Sequence, residues 1–337
     1  MLRSIGQGLL LLVSLTVSLA LCEGFLAWTG AARPEPALYP GDRPAAQGIQ
    51  ADPFIGWKMP PGARVRAGYD PTLIYVADSL GFRRGSSAPP ARAGHRIALI
   101  GDSFTFGVGV EYDETFAARL EHDLPDTRTY NFGMTGFGLD QMWRTLDRYG
   151  RGVDPTVVVL AFVDDDLRRS LTAYRRRETK GIGGNPWWWK PTYRLAGDSL
   201  RPATAADRPS GLIGYLSRHS RLVQLWRGAS WRLSMQYAEG PPWRINEAIL
   251  RAVRDDCRAA GARLVAVRIP EKGQWHPAAA PIGRAMAREG IEFLDLATAL
   301  PPGPERYYFS DDPHLNAEGH RWVAQELEAL LVRRRIL

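Results

Sequence analysis

Apolar and polar positions along this chain follow three different regimes. The first is one long apolar run from Leu9 to Cys22, which resumes from Gly24 to Trp28 after a single charge at Glu23. About twenty such residues suffice to cross a bilayer, so residues 1–28 are expected to form one spanning helix. The second regime, residues 29–51, is rich in Ala, Pro, Gly and Arg without a period, and predicts a linker. Residues 52–94 carry turn signals around one possible strand, Thr72–Ala77, and read as a small β extension whose expected role is to cover a sheet edge.

The third regime, residues 95–337, alternates short β-branched runs with amphipathic stretches. Strand Ile97–Ile100 precedes helix Thr115–His122, strand Thr129–Phe132 precedes helix Leu139–Tyr149, and strand Val157–Phe162 follows. After a break come helix Ile245–Ala259, strand Arg263–Ile269, helix Pro281–Arg288, strand Glu292–Leu294 and helix Ala317–Arg333. Strands alternating with helices at these spacings predict an α/β fold with a doubly wound, flavodoxin-like parallel sheet. The break, residues 168–242, is a long insertion after the third strand, with Trp187-Trp188-Trp189 and helical signal from Ile213 to Gln236. Such an insertion sits at the catalytic edge of a parallel sheet. Its tryptophans suit sugar stacking, a membrane interface or a small core of the insertion's own.

Charge and cysteine content narrow the function classes. Net charge is +7, but 39 of the 43 basic residues are Arg dispersed along the chain, and no stripe or motif points to nucleic acid. The two cysteines, Cys22 and Cys257, do not predict a disulfide, and no His/Cys cluster predicts a metal site; no cofactor is expected. Arg3 ahead of the apolar run favours a cytoplasmic amino terminus; a cleaved signal peptide is the alternative, but no convincing small-x-small cleavage site precedes the Pro-rich stretch from Arg33. An uncleaved single-pass anchor is therefore expected, with the bulk of the chain outside the cytoplasm.

Candidate chemistry begins at the end of the first strand, where Gly101-Asp102-Ser103 places a small hydroxyl residue after a tight turn. In open parallel sheets ligands bind at the carboxyl ends of the strands. Much later, Asp311-Asp312-Pro313-His314 precedes the last helix. An acid on that loop can bind imidazole Nδ1 and fix the tautomer whose Nε2 takes a proton from a serine.

Taken together, these blocks resemble the SGNH/GDSL hydrolase family. The resemblance rests on Gly101-Asp102-Ser103-Phe104, Asn131-Phe132-Gly133-Met134-Thr135-Gly136, Val163-Asp164-Asp165-Asp166-Leu167 and Asp311-x-x-His314. It covers residues 95–166 and 245–330, and the anchor and the run Asp78–Arg84 are similar to those of membrane-anchored bacterial members. The resemblance implies the family's fold, with Ser103 as nucleophile, His314 as general base and then acid, and Asp311 as the residue orienting it. Asp312 is the alternative acid. It further implies an oxyanion hole made by the backbone N–H groups of Ser103 and Gly136 and a side chain of the third block. There the family has Gly-Asn-Asp and this chain has Asp164-Asp165-Asp166, so Asp165 replaces the amide. An ionised Asp165 repels an oxyanion and a protonated one donates to it; Asn131 or a backbone group are the alternatives.

The function implied is a serine esterase, anchored in a bacterial inner membrane, that hydrolyses or transfers an O-acyl ester of a small molecule or cell-surface glycan. The alternative is a weak or inactive module that keeps the fold and binds acylated glycans.

Overall fold

The computed structural model describes residues 2–32, 48–67, 70, 72–85, 93–176, 187–204, 207, 210–237, 240–277 and 280–337. Most of the expected linker, residues 33–47, lies outside them. In chain order the elements are helix α1 (Leu2–Thr29), then the short strands β1 (Gln50–Asp52), β2 (Gly56–Lys58), β3 (Arg64–Arg66) and β4 (Ile74–Val76). Next come β5 (His95–Gly101), α2 (Ser103–Phe106), α3 (Phe116–Asp123), β6 (Thr127–Asn131), α4 (Leu139–Arg148), β7 (Val157–Phe162) and α5 (Asp164–Arg169). The insertion holds β8 (Tyr174–Arg176), β9 (Trp187–Trp189), β10 (Tyr193–Ala196), β11 (Ser199–Pro202), α6 (Gly211–His219) and α7 (Arg221–Tyr237). The chain closes with α8 (Gly240–Ala259), β12 (Arg263–Arg268), α9 (Ala280–Arg288), β13 (Glu292–Asp295) and α10 (Ala317–Arg333).

Two compact units result: Tyr39–Pro202 with Ala238–Leu337, and Met1–Leu38 with Ala203–Tyr237. The first is built on a five-stranded sheet in the order β13-β12-β7-β5-β6, with every pairing parallel. β7, Val-Val-Val-Leu-Ala-Phe, is buried at all its positions, as a strand covered on both faces must be, whereas edge strand β6 alternates buried and half-buried residues. One core cluster joins Ile97, Val159 and Val265 of the sheet to Phe116 of α3 and to Trp322, Val323 and Leu327 of α10. From β5 the chain runs first to one side (β6) and then to the other (β7), so strand order reverses between β5 and β7. The carboxyl ends of those two strands therefore form the crevice of a doubly wound sheet.

The extension forms two antiparallel pairs, β1 with β2 and β3 with β4. The insertion adds two more, β8 with β9 and β10 with β11. Trp188 is buried with its ring edge-on to Trp57 of β2, at 5.2 Å between centroids, which makes it a packing residue. In the second unit, the helical signal at 213–236 resolves into two helices, α6 and α7, broken at Ser220.

Candidate active site

Asp102 and Ser103 follow β5 directly, and backbone crowding dictates the glycine before them. A Cβ on Gly101 would lie 2.0 Å from Thr105 Oγ1 and 2.7 Å from the Ala161 carbonyl of β7. The Asp102 carboxylate caps the short helix α2 by accepting from Phe104 N at 2.9 Å, and it also accepts from Ser103 Oγ at 3.2 Å. Ser103 thus opens the helix, where its own N–H has no intrahelical acceptor.

Two groups from the extension fix this platform. Arg83 is fully buried and donates to the carbonyls of Phe106, Gly107 and Val110, the chain just after the serine, while its guanidinium stacks 4.4 Å from the Tyr75 ring. Trp57 Nε1 donates to the Thr135 carbonyl at 3.0 Å. That carbonyl and the Gly136 N–H belong to one planar trans peptide, so holding the oxygen on one side aims the N–H to the other. Gly136 has φ +82°, a conformation that favours glycine. The sequence assigns neither Arg83 nor Trp57 this role, since the hydrogen-bond partners of both lie 23 or more residues away.

The acids after β7 have separate tasks. Asp164 binds Arg268 through both of its oxygens at 2.7 and 2.8 Å, and Arg268, buried on β12, also reaches Asp295 of β13 at 3.0 Å. Asp165 accepts from Arg168 Nε on one oxygen (2.7 Å) and Arg169 Nε on the other (2.8 Å). Asp166 is fully buried and accepts from Val163 N at 2.9 Å and from Arg169 Nη1. The same Arg169 nitrogen donates to Asp102 at 3.0 Å and to the Phe137 carbonyl at 3.2 Å. One guanidinium thus gathers three carboxylates beside the serine. Burial, and then the nearby Asp102 charge, raise the Asp166 carboxyl well above the usual carboxylate range. Asn131 is spent structurally: its amide donates to the Thr105 carbonyl at 2.7 Å and its oxygen accepts from Gly133 N at 2.9 Å.

His314 lies on the loop before α10, whose cap is Asn316 accepting from Glu318 N and Gly319 N at 3.0 Å. Its Nδ1 is bonded to Asp312, and its backbone N–H donates to the same Asp312 oxygen at 2.8 Å. Asp311, the acid at the other spacing, contacts Ser310 Oγ at 3.4 Å and stays off the imidazole. Hydrogen bonding from His314 holds the Asp312 carboxyl below its ordinary value. The imidazole ring lies 5.1 Å from the Phe104 ring, next to the serine. Lys272 Nζ donates to the carbonyls of Phe309 and Ser310 at 2.6 Å and so ties this loop to the segment after β12.

Among the described residues no group of His, Cys, Asp and Glu has the arrangement of a metal site. No curated protein matches the chain. Among solved structures it is similar to TesA, at 12% identity and TM-score 0.42, covering 72% of this chain and 100% of that one. It is also similar to the psychrotrophic esterase EstA from Pseudoalteromonas sp., at 12% identity and TM-score 0.41, covering 71% and 97% of the two chains. The lipase/acylhydrolase from Enterococcus faecalis matches at 13% identity and TM-score 0.39, covering 71% and 96%. The family model for GDSL-like lipases and acylhydrolases matches residues 99–322, and with its Gly-Asp-Ser turn at the strand-order reversal the chain belongs to that family.

Proposed function

We propose that the protein is a serine esterase anchored in a bacterial inner membrane by α1, acting on an O-acyl ester outside the cytoplasm. Ser103 Oγ attacks the ester carbonyl as its proton passes to His314 Nε2, and Asp312 stabilises the resulting imidazolium through Nδ1. The tetrahedral oxygen takes its hydrogen bonds from the N–H groups of Ser103 and Gly136. Asp165 occupies the place of the third donor; its charge is bound by Arg168 and Arg169, which limits its repulsion of the oxyanion. Collapse breaks the ester C–O bond, and the imidazolium proton leaves with the alcohol. Water, or an acceptor hydroxyl such as that of a cell-surface glycan, then takes the acyl group from Ser103 by the reverse sequence.

One observation carries the reading. An imidazole held at Nδ1 by a carboxylate lies against Phe104, the residue that follows the serine at the strand-order reversal. The Ser103 hydroxyl donates to Asp102 in this structure, and triad hydrogen bonds commonly tighten only in the substrate complex.

The test is labelling of the full chain by an alkyl phosphonate together with hydrolysis of p-nitrophenyl acetate. Wild type is expected to be labelled at Ser103. Ser103→Ala is expected to lose labelling and at least about a thousand-fold in kcat. Full activity in that variant removes the nucleophile assignment. The carboxylates crowding the hole favour a second reading, an inactive module binding acylated glycans. It predicts binding of an acetylated oligosaccharide, without turnover, that persists in Ser103→Ala.

A further inference from the structure

The helical unit contains a feature that ester hydrolysis does not use. Between Ser210 and Tyr237 the sequence has four arginines (Arg218, Arg221, Arg227 and Arg232), one histidine and no acid. Its two helices expose large apolar side chains: Leu212, Ile213, Tyr215 and Leu216 on α6, and Leu225, Trp226 and Leu233 on α7. Leu212 and Ile213 are each 72% exposed and Trp226 69%. In a protein surrounded by water this is a costly surface, and it combines the two signals of an interfacial amphipathic element, apolar bulk and clustered cations.

The depth of this element is set by the one charge inside the apolar part of α1. Glu23 accepts from Ser220 Oγ at 3.0 Å, from Leu222 N at 3.1 Å and from Arg221 N, and so caps the amino terminus of α7 from another helix. Arg221 Nη1 in turn donates to the Ala31 carbonyl just past the end of α1, at 2.7 Å. Apolar packing continues across the junction, where Leu21, Cys22, Phe25 and Leu26 of α1 face Leu222 and Leu225 of α7 around a slot of about 350 Å³. The apolar segment of α1 begins at Gly6, and at 1.5 Å per residue Glu23 lies about 25 Å along it. This distance is close to the thickness of a hydrocarbon core, so the start of α7 sits at the far interface of any bilayer that α1 spans.

We infer that the α6–α7 hairpin is a membrane-surface element that inserts its apolar side chains among anionic lipids of the leaflet α1 exits into. This rests on the reading of α1 as a retained anchor. Three observations select a bilayer as the occupant: continuity with an apolar spanning helix, the depth fixed by Glu23, and a run of arginines without acids.

The test uses the full chain with Cys22→Ser, reconstituted into phosphatidylcholine vesicles with and without phosphatidylglycerol. Cys257 is buried and stays unlabelled. Nitroxide labels are placed singly at Trp226→Cys, Ile213→Cys, Leu12→Cys as a marker of the span, and Thr298→Cys as an exposed control, and collisions with oxygen and with an aqueous nickel chelate are compared. In vesicles containing phosphatidylglycerol, the oxygen-to-nickel ratio at 226 and 213 is expected to exceed that at 298 several-fold. A ratio at both sites equal to that at 298, with lipid exposure intact at 12, overturns the hairpin and leaves the anchor standing. Water exposure at 12 overturns the anchor itself. Equal ratios in the presence and absence of phosphatidylglycerol overturn the role assigned to the arginines.

Discussion

At the scale of single residues, the proposed mechanism calls on side chains that would not touch the ester. Trp57 is the clearest case, because its indole N–H fixes the peptide whose other face is the Gly136 N–H. Trp57→Phe keeps an aromatic edge for Phe137 and Trp188 but leaves the Thr135 carbonyl unmatched. Losing a whole oxyanion donor costs roughly a hundred- to a thousand-fold; loosening one is expected to cost about ten-fold in kcat with little change in KM. A merely structural tryptophan would lower the melting temperature and leave the phosphonate inactivation rate of the folded protein unchanged. Measuring both in the same variant separates the two roles. The choice between Asp311 and Asp312 is likewise local. Both spacings are open in the sequence, but the His314 backbone N–H bonds the Asp312 side chain two residues back, and this turn carries the same oxygen to Nδ1.

At the scale of elements, what the sequence makes legible follows from how local each driving force is. The expected strands and helices of the α/β layer recur within a few residues of their predicted ends, and Val157–Phe162 and Ala317–Arg333 match at both. Buried runs and amphipathic periods are local signals and survive tertiary packing. The insertion is less legible because its strands, three or four residues each, have no period, and Lys190, just after β9, is held by a partner far away. That partner is Asp140 on α4, which pairs with Lys190, fifty positions on, with both side chains almost wholly buried. Burial outweighs the pairing, lowering the Lys190 ammonium and raising the Asp140 carboxyl from their ordinary values. Removing one member strands the other in a dry site, so Lys190→Met is expected to destabilise the protein by about 3 kcal/mol. Lys190→Met with Asp140→Leu is expected to recover at least half of that loss in denaturant unfolding. A double variant as unstable as the sum of the singles would show that the pair is not coupled.

At the scale of the whole molecule, the carboxylates and histidines of the hydrolase unit set how its stability responds to acid. Asp312 has a depressed carboxyl, so its contribution is present above the usual carboxylate value and fades only below about pH 4. Asp166 works in the opposite sense, because a raised carboxyl takes up its proton in the folded state first and favours folding as pH falls. A further window belongs to His320 of α10, whose ring is buried against Phe116 and whose Nδ1 accepts the Phe116 N–H at 3.3 Å. Burial, and then the charges of Arg83, Arg119 and His314, press its imidazole down to about 3. Between that value and the ordinary one near 6.5 the unfolded chain binds a proton that the folded chain refuses, so stability rises with pH across the window. From pH 7 to 5 the loss from this residue alone is about 2 kcal/mol. His320→Gln removes the titrating group and offers an amide oxygen to the Phe116 N–H. Its unfolding free energy, followed by urea denaturation between pH 7 and 5, is expected to fall less steeply than wild type by about that amount. Equal slopes in the two proteins would place the acid sensitivity elsewhere in the hydrolase unit.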